Sequence, residues 1–320
     1  MDLSVIIPVF NEAKNIPILL KELKEVLEPS EYSYEILCID DGSRDETFNI
    51  LKEAVSQWNF LKVVRLRKNF GQTAALSAGF DLAEGDIIIT MDGDLQNDPR
   101  DIPALVKQIK EGYDLVSGWR EKRQDPFFSR RLPSMIANKI ISWVTGVNLH
   151  DYGCTLKAFK KDVAKNIRLY GEMHRFIPAI ASWIGVTIAE IPVNHRSRKF
   201  GRSKYGISRT IRVVLDLITV KFLLTYSTRP IHVFGLWGFL SGLVGLGLAA
   251  YLTIQRLFFA IPLANRPILL LAILLIFIGI QFISMGLLGE LQVRTYHESQ
   301  GKPIYYIKEI FERENKEKPE

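Results

Sequence analysis

Cysteine is nearly missing: the chain has two in 320 residues, Cys38 and Cys154. They lie far apart, with no partner spacing for zinc or redox work, which excludes a disulfide framework and a thiol chemistry. Cys38 falls inside the strand-like run Glu35–Ile39 and reads as a small core hydrophobe. Acid is missing from residues 191–215, where seven bases stand: Arg196, Arg198, Lys199, Arg202, Lys204, Arg209 and Arg212. Charge of either sign is missing from Val233–Gln255 and from Pro267–Gly289. At about 1.5 Å per helical residue, each run is long enough to cross a hydrocarbon core of roughly 30 Å. Repeats and low-complexity segments are missing too, and no leader-like run precedes the first strand, so the catalytic part is expected in the cytosol.

What is present divides sharply. Charged residues crowd the first 230 positions, and the net charge is +6. The basic run leads straight into the apolar ones, so it reads as a clamp for phosphates or for anionic headgroups, with nucleic acid excluded as partner. Lys221 and Arg229 precede the first apolar run, and Arg294, Lys302 and Lys308 follow the second. Between the runs, Arg256 and Arg266 mark the loop edges. The positive-inside rule then predicts a hairpin with both termini in the cytoplasm, a multi-pass protein of the cell membrane.

Ahead of the hairpin, strand and helix signals alternate. Leu3–Val9, Tyr34–Ile39, Leu61–Leu66 and Asp86–Met91 are β-rich runs. Ile16–Leu27, Asp45–Trp58 and Gln72–Ala83 have helical patterning. The alternation predicts an α/β fold with a doubly wound, mostly parallel sheet. Residues 207–225 mix bases with aliphatic side chains, as an amphipathic helix lying on a bilayer does, and 136–144 is a second such segment. Asn315–Glu320 reads as a charged, disordered tail.

In doubly wound sheets ligands bind beyond the carboxyl ends of the strands. The polar clusters Asn11-Glu12, Asp40-Asp41 and Asp92-Gly93-Asp94 all fall there. Two carboxylates one residue apart suit a hard divalent cation, with Gln96 close behind as a further oxygen donor. Such a cation bridges a diphosphate and neutralises the charge that builds on it. Asp40 or Asp41 would accept hydrogen bonds from a nucleobase edge or a ribose hydroxyl, while Ser43 and Glu46 fit a capping box for the next helix.

Val5–Glu12, Ile39–Ser43 and Met91–Gln96 together resemble the family 2 inverting glycosyltransferases of the GT-A fold. Asp151–Lys157, Gly171–Phe176 and Arg198–Tyr205 narrow the resemblance to polyprenyl-phosphate glycosyltransferases, such as bactoprenol glucosyltransferases and dolichyl-phosphate mannose synthases. It covers roughly residues 3–210, and the two-span C-terminus is similar to the bactoprenol type. The resemblance implies that Pro8, Phe10, Asn11, Glu12, Asp40 and Ser43 line the nucleotide, with Asp92 at the ribose or metal. It implies Asp94 and Gln96 as ligands of Mg2+ or Mn2+. Asp92, Asp94, Asp151, Arg198 and Lys204 become the catalytic set, and Arg120, Arg131 and Arg198 the candidates for the lipid phosphate.

Departures from the family pattern are informative. The Gln-x-x-Arg-Trp string of processive sugar polymerases does not occur, which favours transfer of one sugar. Cys154–Lys157 replaces the Ser-Gly-Phe-Arg of dolichyl-type relatives and pulls toward the bacterial branch. The expectation is therefore a membrane enzyme that moves one hexose, glucose from UDP-glucose first, onto undecaprenyl phosphate. GDP-mannose, UDP-aminoarabinose and UDP-GlcNAc are the alternative donors, and a non-catalytic nucleotide-sugar-binding scaffold is the competing class. The expected domains are a cytoplasmic catalytic part at 1–206, a juxtamembrane helix at 207–230, two spans within 231–290 and a cytoplasmic tail at 291–320. Five glycines between Gly235 and Gly247 in the first span suit close helix pairing and a homo-oligomer.

Overall fold

The structure, a computed structural model, describes residues 1–121, 132–171, 173–197 and 304–313, with scattered positions between 218 and 299. The chain divides into two units, Met1–Leu217 with Pro303–Glu320, and Ile218–Lys302.

The first unit is built on one eight-stranded sheet. Its strands are β1 (Leu3–Val9), β2 (Tyr34–Asp40), β3 (Leu61–Leu66), β4 (Ile87–Thr90), β5 (Leu115–Trp119), β6 (Lys157–Lys160), β7 (Ile188–Pro192) and β8 (Ile307–Phe311). Their spatial order is β7-β5-β6-β4-β1-β2-β3-β8. β4, β1, β2 and β3 form a parallel block, in register Leu3↔Ile87, Leu3↔Tyr34 and Ile36↔Leu61. β6 runs antiparallel to both β4 and β5, and β5 pairs in parallel with β7. The sheet is thus mixed but mostly parallel: the central block and the β5–β7 pair at one edge are parallel, while β6 and β8 run antiparallel to their neighbours.

The helices of this unit are α1 (Ile16–Leu27), α2 (Thr47–Gln57), α3 (Gln72–Leu82), α4 (Ile102–Lys110), α5 (Leu132–Thr145), α6 (Lys161–Asn166) and α7 (Ile177–Trp183). The central strands are apolar along nearly their whole length because helices cover both faces. On α1, Ile16, Leu19, Leu20, Leu23 and Leu27 recur at helical spacing and all are buried. Each contributes about 1.5–3 kcal/mol of transfer free energy. α3 approaches the sheet so closely that a methyl at Gly79 would overlap Ile6, which is why this helix is rich in Ala and Gly.

β8 corrects the assignment of 291–320 as a tail. Ile307–Phe311 pairs antiparallel with β3, in register Val63↔Phe311 and Arg65↔Glu309. Phe311 packs edge-on against Phe48 at 5.6 Å, and the Arg65 guanidinium lies 3.9 Å from the centre of the same Phe48 ring. Ion pairs Arg65–Glu309 (3.2 Å) and Lys62–Glu312 (3.0 Å) fix the register. The alternation in Ile307–Phe311 is that of a half-buried edge strand, and proximity to the apolar runs hid it from a reading by composition.

In the second unit the described positions are helical. Among the described residues no helix is long and apolar enough to cross a membrane. The run at 233–255 lies outside them, as do most of 267–289, the juxtamembrane segment apart from Ile218 and Thr219, and the tail from 314.

Candidate active site

Parallel pairing brings the carboxyl ends of β4, β1 and β2 to one edge, so the loops after Thr90, Val9 and Asp40 are neighbours. Asn11, in a left-handed conformation (φ 56°), turns the chain after β1. Its N–H donates to Ser43 Oγ at 2.9 Å and its Oδ1 accepts the Arg44 N–H at 2.8 Å. The Glu12 N–H donates to Thr47 Oγ1 at 2.8 Å. These bonds join the first two loops into one wall, with Pro8, Phe10 and Glu12 half-buried along it. The capping box does not form: Ser43 serves Asn11, and the Thr47 N–H donates instead to Asp45 Oδ1 at 3.1 Å.

Asp40 and Asp41 part company. Asp40 is fully buried, its Oδ1 accepting the Ser43 N–H at 3.0 Å while Arg65 stands 3.6 Å from Oδ2. Asp41 accepts the N–H groups of Phe70 and Gly71, at 2.7 and 2.9 Å, and so fixes the entry to α3. Gly42 (φ 69°) permits the tight packing of this turn, since a Cβ there would meet the Lys68 backbone at 2.6 Å. A cavity of about 300 Å3 opens beside it, lined by Gly42–Arg44, Arg65–Asn69 and Lys308. It shares Ser43 with the expected nucleotide set, is strongly basic, and is lined by neither Asp92 nor Asp94.

The acidic turn follows β4. The Asp92 N–H donates to Asn97 Oδ1 at 3.0 Å, and Thr155 Oγ1 donates to the same oxygen at 3.1 Å. Leu95 is held in the left-handed region (φ 63°), a conformation costing about 1–3 kcal/mol for a branched side chain. That reversal lets the Gln96 N–H reach Asp94 Oδ1 at 3.1 Å and gathers Asp92, Asp94 and Gln96 in one turn. Asp94 is buried and Asp92 half-buried. Burial, and then the Asp94 charge, push the Asp92 carboxyl well above the usual carboxylate range. Two poorly solvated carboxylates with an amide oxygen donor nearby match a hard divalent cation, which removes their mutual repulsion. Among the described residues no group of three His, Cys, Asp or Glu side chains is placed to hold a metal ion.

Other expected residues are placed differently. Arg120, just after β5, turns its fork onto Asp151: Nε to Oδ2 at 2.6 Å and Nη2 to Oδ1 at 2.9 Å. Burial opposes the Arg120 charge, but the hydrogen bonds and charge of Asp151 outweigh it and hold the guanidinium more firmly protonated. Arg196 leaves the proposed phosphate clamp, since its guanidinium binds Glu22 Oε2 and Asp98 Oδ1, both at 2.6 Å. Arg131, Arg198 and Lys204 lie outside the described residues.

Gln72, Thr73 and Glu190 stand outside the expected site set, and His174 and Lys157, which lie within the motifs that carry the family resemblance, gain specific partners. Gln72 Nε2 donates to Asp92 Oδ1 at 2.8 Å, so the start of α3 touches the acidic turn. Next to it, Thr73 Oγ1 and His174 Nδ1 are 2.9 Å apart. Lys157 is fully buried, its Nζ donating to the Cys154 carbonyl, and burial holds its pKa below the ordinary lysine value. Glu190 accepts the N–H groups of His150 and Asp151 and pairs with His150 Nδ1 at 2.7 Å, while the imidazole stacks on Trp119 at 4.3 Å. A short acidic motif announces itself in sequence; a Gln at a helix start or a Glu on a distant strand does not.

Residues 4–168 match the family described as glycosyl transferase family 2. The chain is 41% identical over 319 residues to dodecaprenyl-phosphate galacturonate synthase of Rhizobium johnstonii, covering 98% of this chain and 94% of that one. It is 39% identical over 310 residues to undecaprenyl-phosphate 4-deoxy-4-formamido-L-arabinose transferase of Pseudomonas syringae pv. syringae, covering 96% and 90%. Among solved structures, glucosyl-3-phosphoglycerate synthase of Mycobacterium tuberculosis with Mn2+ and UDP-glucose shares the fold at a TM-score of 0.55, with 17% identity over 70% of this chain and 78% of that one. TarS of S. aureus with UDP-GlcNAc does so at 0.51, with 21% identity over 70% and 67%.

Proposed function

Because the chain belongs to glycosyl transferase family 2, we propose that it transfers one sugar from a nucleotide sugar to a polyprenyl phosphate at a membrane surface, inverting the anomeric carbon. The observation that carries this reading is the acidic turn at the carboxyl end of β4, with Asp92, Asp94 and Gln96 in one loop. Two relatives of near-complete coverage, both named as polyprenyl-phosphate enzymes, support the acceptor. Their sugars are galacturonate and formamido-arabinose, so neither supports glucose as the sugar. Galacturonate is the first donor sugar to test.

The lipid phosphate, largely dianionic at neutral pH with a second pKa of about 6, is the nucleophile. Its oxygen forms the new bond to the anomeric carbon as the bond to the diphosphate breaks, and no general base is needed. The pairing of Asp151 with Arg120 agrees with this, since that carboxylate orients a guanidinium rather than awaiting a proton. A divalent cation held by Asp94 and Gln96, beside Asp92, would neutralise the departing nucleoside diphosphate. Asn11, Ser43 and the neighbouring basic cavity form the nucleotide side. Arg198, Lys204, Arg131 and the remaining edge of Arg120 would meet the lipid phosphate.

Membrane attachment rests on the two charge-free runs. β8 adds an argument from connectivity. The chain leaves the first unit at Leu217 and re-enters it at Pro303, so any crossings of a bilayer between them must be even in number, a condition that a two-span hairpin meets. On α5, Met135, Ile140 and Trp143 are exposed, Trp143 by 85%, which suits a helix resting on lipid. With the positive-inside bias, the catalytic unit is cytoplasmic. Homo-oligomer formation through the small residues of the first span completes the proposal.

The test is a panel of nucleotide sugars offered to the purified full chain with undecaprenyl phosphate and Mn2+ or Mg2+, read by mass spectrometry of the lipid phase. Sugar must appear on the lipid and disappear in Asp94→Ala. A panel with no lipid-linked product sinks the reading, and a product that retains anomeric configuration sinks the inverting mechanism.

A further inference from the structure

We infer that His195 is a positioning residue, which sets the side-chain orientation of Gln96 so that its amide oxygen faces the metal. The inference rests on the reading of Gln96 as a metal ligand given above.

The chain that leaves β7 is strapped along the loop that follows the acidic turn. The Val193 N–H donates to the Trp119 carbonyl at 2.9 Å. The Asn194 N–H and Nδ2 donate to the Asp101 carboxylate at 2.7 and 2.9 Å. The Arg196 N–H donates to the Gln96 carbonyl at 3.0 Å, and its guanidinium is held by Glu22 and Asp98. Asn97 and His195 make an antiparallel bridge between these anchors. His195 is thus fixed on both sides, and its Nε2 stands 3.4 Å from Gln96 Nε2.

Two nitrogens at that separation need one donor and one acceptor. An amide NH2 only donates, so the imidazole Nε2 accepts. A glutamine carries its oxygen and its NH2 on the same carbon, pointing apart. Holding the NH2 against His195 therefore turns Oε1 the other way. The hydrogen bond is long, so its value lies in that choice rather than in stability. Groups that orient metal ligands in this manner are typically worth about 10–100-fold in metal affinity.

The test measures the Mn2+ dissociation constant of the purified full chain by electron paramagnetic resonance at a fixed UDP concentration, with no turnover. His195→Phe keeps the ring and removes the acceptor, and should weaken Mn2+ by about tenfold or more. His195→Gln, which returns an acceptor oxygen near the Nε2 position, should stay within about twofold of the parent. His195→Asn, too short to reach, replaces the Phe variant if that chain fails to fold, and should weaken binding likewise. Gln96→Ala should weaken Mn2+ as well, and adding His195→Phe to it should bring no further loss.

An unchanged affinity in Gln96→Ala rejects the ligand assignment and the inference with it. Weakening in Gln96→Ala but not in His195→Phe or His195→Asn rejects the inference alone. Additive losses in the double variant mean that His195 acts independently, and an imidazole nitrogen bonded to Mn2+ in the spin-echo spectrum makes it a ligand; either overturns the positioning role. Absence of saturable Mn2+ binding in the parent chain removes the metal reading altogether.

Discussion

Arg120 and Asp151 form a two-pronged ion pair, 2.6 and 2.9 Å, that ties the end of β5 to the segment entering β6. The side chains are 16% and 3% exposed, so neither charge has bulk water as an alternative partner. Removing one side leaves the other charge stranded, at a cost of about 3–5 kcal/mol. Asp151→Ala and Arg120→Ala should each lower the melting temperature of the full chain markedly. Arg120→Lys, which keeps the charge but not the fork, should fold and still lose most sugar transfer. Melting curves together with lipid-product assays check both, and full activity in Arg120→Lys would remove Arg120 from the site.

Asp114 provides a pH test away from the chemistry. Its carboxyl is pulled down to about 2 by the Lys160 side chain and by the N–H and hydroxyl of Thr187, which tie β5 to β6 and β7. A folded-state pKa below the ordinary value contributes stability that is present above the unfolded value near 4 and is lost as pH falls toward 2. With the side chain 26% exposed, screening leaves about 1–2 kcal/mol. Asp114→Asn should melt earlier than the parent at pH 7, and the gap should narrow between pH 4 and pH 2.

The two thiols should be silent in the native protein. Burial, and then the Asp40 charge, push Cys38 up to about 12, and burial raises Cys154 as well. Thiolate is the reactive form, so iodoacetamide at pH 8 should label neither until denaturant is added. Mass spectrometry after pulse labelling reads this, and rapid native labelling of Cys38 would contradict a closed core between β1 and β3.

Deleting residues beyond 302 should damage the catalytic unit itself. The loss strips β3 of its edge partner, of the pairs with Glu309 and Glu312, and of the Phe311–Phe48 contact. An exposed strand edge invites aggregation. The truncated chain should be polydisperse on size exclusion, while Phe311→Ala should remain monodisperse and cost about 2 kcal/mol. A truncated chain with parental melting behaviour would show that β8 is dispensable.

Much of the central sheet was legible because its signal is local. Leu3–Val9 and Tyr34–Asp40 are apolar runs ended by polar turns, and α1 shows its buried face at every third or fourth residue. β6 and β7 were not legible: Lys157–Lys160 is short and flanked by lysines, and Ile188–Pro192 has a proline at its end. Their strand character comes from pairing with β4 and β5, which no window of sequence contains. The same holds for Arg120, whose partner Asp151 stands 31 residues further along the chain.

By itself the sequence determined the chemistry that short motifs can carry: an acidic turn after a buried strand, a polar turn after each of two others, and two runs without charge. Those depend on neighbours along the chain, and covalent order supplies them. Tertiary structure decided which charges are spent on one another and which face the site. Gln72 meets Asp92 across 20 residues, Arg196 meets Glu22 across 174, and His195 meets Gln96 across 99. Such pairings follow from how strands are ordered in the sheet, because hydrogen bonds act over about 3 Å of space whatever the separation along the backbone.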